Sequence, residues 1–333
     1  WTSYSHIILM NIKFLLPKAR AFVVKGDIPR RASQRFRGLV PLKYMSEADG
    51  YIDSVNEATK DDIVIVAKAA SVEDIMYLKD NGIKFIFDVC DDKWRLGRDH
   101  RRNTEIMNTG CEHADLITTT CEKLEHKIYM ECGRHAHIID DPYERDIEPV
   151  KFEPGKHLNF CYFGGRKSFS MVNWEELFAI LNSMKIEYTV HAITQKYQYA
   201  VQRLTRLGQF LNKHDRLKLY EWDYELQAKL VRECDFVIMP ISNANPERVY
   251  AKSPNRVIDS IAQGRYVITT HGVISYDNYV KFIGMGSMKR NILWALDNPK
   301  SVISKIEEGQ KYIQKHHSPR VIAKQWMSLR DKV

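Results

Sequence analysis

At 333 residues, with 44% hydrophobic and 28% charged side chains, the chain reads as a soluble globular protein long enough for two domains of roughly 150 residues each. A net charge of +8 favours anionic ligands or an acidic surface without requiring nucleic acid. The six cysteines are scattered without a C-x-x-C pair, which argues against a zinc site or a disulfide frame and for reduced thiols in a cytosolic setting, and no run approaches the roughly 20 apolar residues that cross a bilayer.

Residues before Met10 are set aside as an extension, and the first buried strand is expected over Asn11 to Leu16. A helical pattern runs from Ser33 to Ala48. "DDIVIVAKA" (61–69) then reads as a strand, and "SVEDIMYLKDNG" as a helix with Ser71 at its N-cap, Asp74 completing a capping box and Gly82 stopping it. "IKFIFDVCDD" is a buried strand ending in acids. "ADLITTT" and "HAHIID" are two more strands, with "CEKLEHKIYMECG" as the helix between them. Residues 10–145 thus form a doubly wound domain.

From Asp141 to Lys156 prolines, charges and a glycine replace any period, which marks a boundary. A second βα series follows over 156–287: strand "HLNFCYFGG", helix "SMVNWEELFAILNSM", strand "IEYTVHAIT", a long helix to about His214, strand "RLKLYEW", helix "YELQAKLVREC", strand "DFVIMPI", a helix from "KSPNR", and strand "RYVITT". Residues 288–333 are helical and are expected to pack back toward the first domain. The fold class is α/β, with two Rossmann-like doubly wound domains whose strand carboxyl ends face a central cleft, where such sheets bind ligands.

Two stretches invite an anion. In "FCYFGGRKSF" a strand ends at Gly164 and Gly165, followed by Arg166 and Lys167. Glycines let backbone N–H groups approach an oxyanion, and the cations neutralise a phosphate. The text also suits a plain βα turn with solvated charges, and it is neither a dinucleotide fingerprint nor a P-loop. In "AKSPNRVIDSIAQG" Pro254 fits a first helical turn and Ser253 an N-cap, so free N–H groups and the positive end of the dipole point back at Lys252, with Asn255 and Arg256 beside them. Asp259 lies one turn deeper on the face of Asn255, suited to ribose hydroxyls. A capped helix with solvated cations is the other reading.

The order of strand–GG–Arg/Lys, "LYEWDYELQAKLVRECDFVIMPIS" and "KSPNRVIDSIAQGRYVITT" resembles the C-terminal domain of GT-B glycosyltransferases. "ASQRFRGLVPLKYM", "FDVCDDKW" and "ADLITTTCEKL" resemble N-terminal segments of the same family. The resemblance implies a nucleotide-sugar donor on the second domain and an acceptor on the first. It implies Gly165, Arg166 and Lys167 at the donor phosphates, the region of Tyr220 and Trp222 at the base, and Asp259 at the ribose. One position departs: Ala251 stands where many retaining members have the first of two glutamates, so no anomeric outcome is carried over.

Transfer requires stabilisation of the leaving phosphate and removal of a proton from the acceptor. Arg166, Lys167, Lys252 and Arg256 serve the first task without a metal, and no cofactor is implied beyond the nucleotide sugar as co-substrate. Asp88, Asp91 and Asp92, at or just past a strand end, are the candidates for the second as base or nucleophile, with Asp91 leading; pairing with Lys93 or Arg95 is the alternative for the loop acids. Arg35 and Arg37 are candidates for an acidic acceptor or donor sugar, and His271 for the donor. The basic loop from Leu96 to Asn103 could meet a phospholipid surface or a lipid-linked acceptor, but a solvated face suits it better.

The expected function is a cytoplasmic glycosyltransferase in surface polysaccharide or glycoconjugate synthesis. A nucleotide-sugar epimerase or hydrolase on the same frame would bind the donor and turn over without acceptor. A nucleic-acid-binding protein would need a continuous basic patch with stacking aromatics, whereas these charges are distributed and the aromatics fall at core-like positions.

Overall fold

The computed structural model describes residues 10–17, 29, 32–67, 70–94, 100–170, 172–195, 215–240, 253–270 and 274–333, with the backbone alone at 100, 167, 274 and 275. The chain divides into two compact units: Trp1–Glu144 with His316–Val333, and Arg145–Lys315.

The first unit is built on a parallel six-stranded sheet in the order β2-β1-β3-β4-β5-β6. Its strands are β1 (Asn11–Leu15), β2 (Gly50–Ile52), β3 (Asp62–Ala67), β4 (Lys84–Val89), β5 (Leu116–Thr119) and β6 (His137–Ile138). β3 is buried at every position, as a strand covered on both faces must be, which is why its text is a continuous apolar run rather than an alternation. Helices α1 (Val72–Asp80), α2 (His100–His113) and α3 (Glu122–Cys132) connect the strands. The capping box forms as expected: Asp74 N–H donates to Ser71 Oγ at 3.1 Å and Ser71 N–H to Asp74 Oδ2 at 2.8 Å. Gly82 then takes a φ of 63°, open to glycine at little cost, and ends the helix.

The helix expected over Ser33 to Ala48 is shorter and of mixed kind. Ala32–Gln34 and Val40–Leu42 are α-helical, and Arg35–Leu39 between them is a π turn that buries Arg35, Phe36 and Arg37 together.

The second unit holds a parallel six-stranded sheet in the order β12-β11-β10-β7-β8-β9. Its strands are β7 (His157–Gly164), β8 (Glu187–Thr194), β9 (Leu217–Glu221), β10 (Phe236–Met239), β11 (Tyr266–Thr269) and β12 (Gly284–Met285). Helices α4 (Arg166–Ser170), α5 (Trp174–Ser183), α6 (Tyr224–Glu233) and α7 (Asn255–Ala262) lie between strands. Aromatic side chains dominate the core, with Phe160 stacked on Phe236 at 5.4 Å and Trp174 against Phe169 at 4.9 Å. The expected helix to His214 lies outside the described residues.

The tail corrects the expected third segment. α8 (Met288–Asp297) and α9 (Pro299–His317) bury Met288, Ile292, Ala295, Val302 and Ile306 in the core of the second unit, because their apolar stripes complete its sheet cover. From His316 on the tail belongs to the first unit, where Ile322 and Trp326 of α10 (Pro319–Met327) join Ile12, Phe14 and Ile65. The short strands β2 and β12, of three and two residues, are additions that the sequence pattern did not announce. No described helix is long and apolar enough to cross a membrane.

Candidate functional site

A parallel sheet delivers the carboxyl ends of all its strands to one edge, and in the second unit that edge gathers most of the expected donor residues. Gly164, Thr194 and Glu221 stand side by side in register at the ends of β7, β8 and β9. After β7 the chain turns at Gly165, which is exposed with open space where a Cβ would stand, and enters α4 with Arg166 exposed. The Lys167 side chain, Lys252 and His271 lie outside the described residues.

The head of α7 is tied to this turn. Arg256 Nη1 donates to the Phe163 carbonyl at 3.1 Å, and a Cβ on Gly164 would stand 3.2 Å from that nitrogen and 2.8 Å from Tyr162 Oη. Gly164 is therefore a close-approach glycine, with no room for a side chain. Arg256 reaches inward to β7 and to the hydroxyls of Tyr162 and Tyr276 instead of standing free at the helix mouth. Burial opposes its charge, but the two tyrosines outweigh that and hold its pKa above the ordinary value. Burial pushes Tyr162 up to about 12, against the pull of Arg256.

α7 starts one residue later than expected. Pro254 is its cap residue, and Ser253 Oγ accepts the Asn255 N–H at 3.2 Å from one position further out. Asp259 is buried, at 6% exposure, along the helix.

The two aromatic candidates separate. Trp222 N–H donates to the Thr194 carbonyl at 3.0 Å, so Trp222 extends the edge past β9, and its Nε1 donates to Gln227 Oε1 at 2.6 Å. Tyr220 turns back along the sheet. Its hydroxyl meets His191 Nδ1 at 3.1 Å and its ring stacks on the imidazole at 5.8 Å. Burial lowers the His191 pKa and raises that of Tyr220. Thr194 was not foreseen. It is fully buried, and its Oγ1 finds no hydrogen-bond partner among the described residues, a feature that no local sequence signal carries.

In the first unit the expected acids take different roles. Asp88 accepts two hydrogen bonds from Arg37, Nε at 3.0 Å and Nη2 at 2.6 Å, and a third from Thr118 Oγ1 at 2.8 Å, its neighbour in register on β5. Arg37 also donates to the Ile139 carbonyl and to Asp141 Oδ1 at 3.3 Å, with the Trp326 ring 5.0 Å away. Burial opposes its charge, but Asp88 and Asp141 outweigh that and raise its pKa. Both expectations meet a different setting: Asp88 and Arg37 are 2% and 1% exposed and bonded to each other, so neither stands free at the end of the sheet. Arg35 is likewise buried, bonded to Glu144 and to the Pro29 carbonyl at 2.8 Å.

Asp91 and Asp92 lie just beyond β4, and both are half-buried. Asp92 Oδ1 accepts the Trp94 N–H at 3.1 Å, a local turn, and the buried Trp94 is fixed through Nε1 to Asn108 Oδ1 at 2.9 Å. Asp91 borders a small depression with Ala67, Ala70, Cys90, Lys93 and Met107. Asp140, which follows β6, has its pKa raised by burial, while burial lowers that of His317 close by. His317 escaped sequence reasoning because it sits 176 residues from Asp141, whose carbonyl its Nδ1 meets at 3.1 Å. Among the described residues no group of three or more His, Cys, Asp or Glu could hold a metal ion.

The fold matches known structures. HepE from Anabaena, solved with UDP and glucose, aligns with a TM-score of 0.70 and 12% identity over 97% of this chain and 100% of its own. TarM, a Staphylococcus aureus protein, aligns at a TM-score of 0.63 and 12% identity over 82% of this chain, which spans only 55% of TarM's length. The UDP-forming α,α-trehalose-phosphate synthase of Burkholderia xenovorans aligns at 0.60 and 11% identity over 83% of this chain and 75% of its own. No protein-family model and no curated protein sequence matches the chain. The two parallel six-stranded α/β sheets are those of the GT-B fold.

Proposed function

We propose that this chain is a metal-independent glycosyltransferase that moves a sugar from a nucleotide-activated donor to a hydroxyl of a glycan or glycolipid, in the synthesis of a surface polysaccharide or other glycoconjugate. The observation that carries the reading is the tether from Arg256 to Phe163. It fixes the head of α7 beside the Gly164–Gly165–Arg166 turn, in a fold whose neighbour HepE was solved with UDP-glucose.

The leaving diphosphate gains negative charge as the glycosidic bond breaks. Preorganised backbone N–H groups at the two helix heads and the exposed Arg166 stabilise that charge without reorganisation, with Lys167 and Lys252 as further cations. Trp222 supplies an apolar face for the base at the same edge, and Asp259 the ribose contact. On the first unit Asp91 takes the proton from the acceptor hydroxyl. The net charge of +8 suits an acidic membrane surface, so the acceptor class includes lipid-linked glycans at the inner face of the membrane, met by a cytoplasmic enzyme in peripheral contact.

The test is thermal stabilisation by UDP, GDP, ADP, CDP and CMP, followed by release of nucleotide from the matching sugar donor with and without acceptor. A shift with one nucleotide that Arg166→Ala diminishes, and release that needs an acceptor, are the expected results. Turnover without any acceptor would instead favour an epimerase or hydrolase, and no shift with any nucleotide would overturn the donor site.

A further inference from the structure

The outer face of α10 is basic and carries no acid. From His316 to Arg330 the sequence holds Arg320, Lys324 and Arg330 and neither aspartate nor glutamate. Ser318 caps the helix through its Oγ, which accepts the Val321 N–H at 3.4 Å, and Ile322, Ala323 and Trp326 bury the face turned to the sheet. Arg320 and Lys324, four residues apart, therefore share one exposed face.

The turn after the short helix Val40–Leu42 extends that face. Leu42 and Met45 pack on the cluster that holds Ile322 and Trp326, while Lys43 and Tyr44 between them are exposed, Tyr44 at 40%. The Arg320 guanidinium lies 5.2 Å from the centre of the Tyr44 ring, which joins the two segments into one surface. Acids are few around it. The Asp49 carboxylate is buried and bonded to Arg330 at 2.6 Å, which leaves the exposed Glu47 and Asp331 against Lys43, Arg320, Lys324 and Lys332.

We propose that this surface of the first unit, centred on Arg320 and Tyr44, docks on a bilayer that carries anionic lipid. Lys43, Arg320 and Lys324 meet headgroup phosphates, each cation adding to the attraction of the surface. Tyr44 lies at headgroup level, where a ring with a polar tip is favoured because one end is apolar and the other wet. Two of the three cations are lysines on flexible stems, which suit mobile headgroups better than the fixed, bidentate geometry of a carboxylate partner. The surface gives a place on the protein to the peripheral membrane contact of the proposed glycosyltransferase, and it rests on that contact rather than on the donor site.

The experiment sediments the full chain with vesicles of phosphatidylcholine, alone or with about one-third phosphatidylglycerol, at low and at high salt and without nucleotide or acceptor. Binding is expected with the anionic vesicles only, and it should be lost at high salt. Arg320→Glu with Lys324→Glu should lower the partition coefficient about tenfold or more. Arg101→Glu with Arg102→Glu makes the same change of charge at exposed positions of α2 and should lower it less than about threefold. Should the first pair fail to fold, Tyr44→Trp keeps the test open, since brominated lipid in the anionic vesicles should quench the added fluorescence. No binding to anionic vesicles, equal binding to neutral ones, equal loss in the two double variants, or an unquenched Tyr44→Trp would overturn the proposal. Because no donor or acceptor is present, such a failure leaves the transfer reaction standing.

Discussion

Arg37 and Asp88 meet in two parallel hydrogen bonds, Nε to Oδ2 at 3.0 Å and Nη2 to Oδ1 at 2.6 Å, with 1% and 2% of their surfaces exposed. A buried pair of this kind has surrendered its hydration, so each charge depends on the other. Removing one partner strands the other, and Asp88→Asn or Arg37→Met should cost ~3–5 kcal/mol in urea unfolding. Arg37→Met with Asp88→Leu should recover part of that loss, since it removes both charges of the pair but also takes Arg37 from Asp141 and the Ile139 carbonyl. A single substitution within about 1 kcal/mol of the parent would show that the pair does not hold the first unit.

Asp91 should behave in the opposite way. It is half-buried past the end of β4, and Asp91→Asn keeps its size, so the variant should still fold and melt cooperatively. Acceptor-dependent transfer should fall by about 10²–10⁴-fold, the usual contribution of a positioned base. Asp140→Asn measured in parallel identifies which half-buried carboxylate carries the reaction. If Asp91→Asn transfers at the parent rate, Asp91 is not the base.

Gly164 has no room for a methyl group, with Tyr162 Oη 2.8 Å and Arg256 Nη1 3.2 Å from the site of a Cβ. Gly164→Ala should push the guanidinium off the Phe163 carbonyl and loosen the head of α7. Stability should drop by about 1–3 kcal/mol, as in other overpacked sites, and nucleotide-induced stabilisation should shrink. Gly165→Ala, with open space around its Cβ, should change neither the fold nor its melting temperature appreciably, and it serves as the control.

His317 gives a pH signature with a defined sign. Burial holds its pKa below the ordinary value near 6.5, with Asp140 and Asp141 pulling the other way and His316 adding to the depression. As pH falls through about 6.5 the unfolded chain takes up a proton that the folded chain refuses, so this part of the stability is present above that pH and lost on acidification. The raised Asp140 carboxyl contributes in the opposite sense, stabilising at low pH and less as its proton leaves. Between about pH 7.5 and 5.5 the parent should lose more melting temperature than His317→Gln. Equal slopes for the two proteins would refute a buried neutral imidazole.

Thr194→Val removes a buried hydroxyl that has no partner among the described residues. Without a hydrogen bond to break, the change should be neutral or stabilising in the free protein. A loss of nucleotide-induced stabilisation in that variant would place the hydroxyl against the donor.

Elements with local signals were legible along the chain. Ser71 and Asp74 are three residues apart and cap the same turn, so their text is sufficient, and the buried β3 and β4 announce themselves as apolar runs. β2 and β12 were not legible, because three and two residues carry no period. The turn after β7 and the head of α7 were legible from their glycines, proline and serine. Arg37, expected to meet an acidic acceptor or donor sugar, instead sits in a π turn and is buried against Asp88. Reading Asp88 and Asp91 as one acidic cluster failed because a strand position opposite Thr118 and a loop position past the strand end have different solvation.

The sequence by itself determined two βα series, their parallel sheets and the stretches that meet at the carboxyl edge of the second sheet, because periodicity, caps and turn residues act over a few positions. Tertiary structure alone decided which charges are spent inside the protein and which remain for chemistry. Arg37 finds Asp88 in one segment and Ile139 and Asp141 in another, and Arg256 finds Phe163 across 93 residues. Desolvation depends on everything stacked around a group, and that sum exists only once the elements have packed.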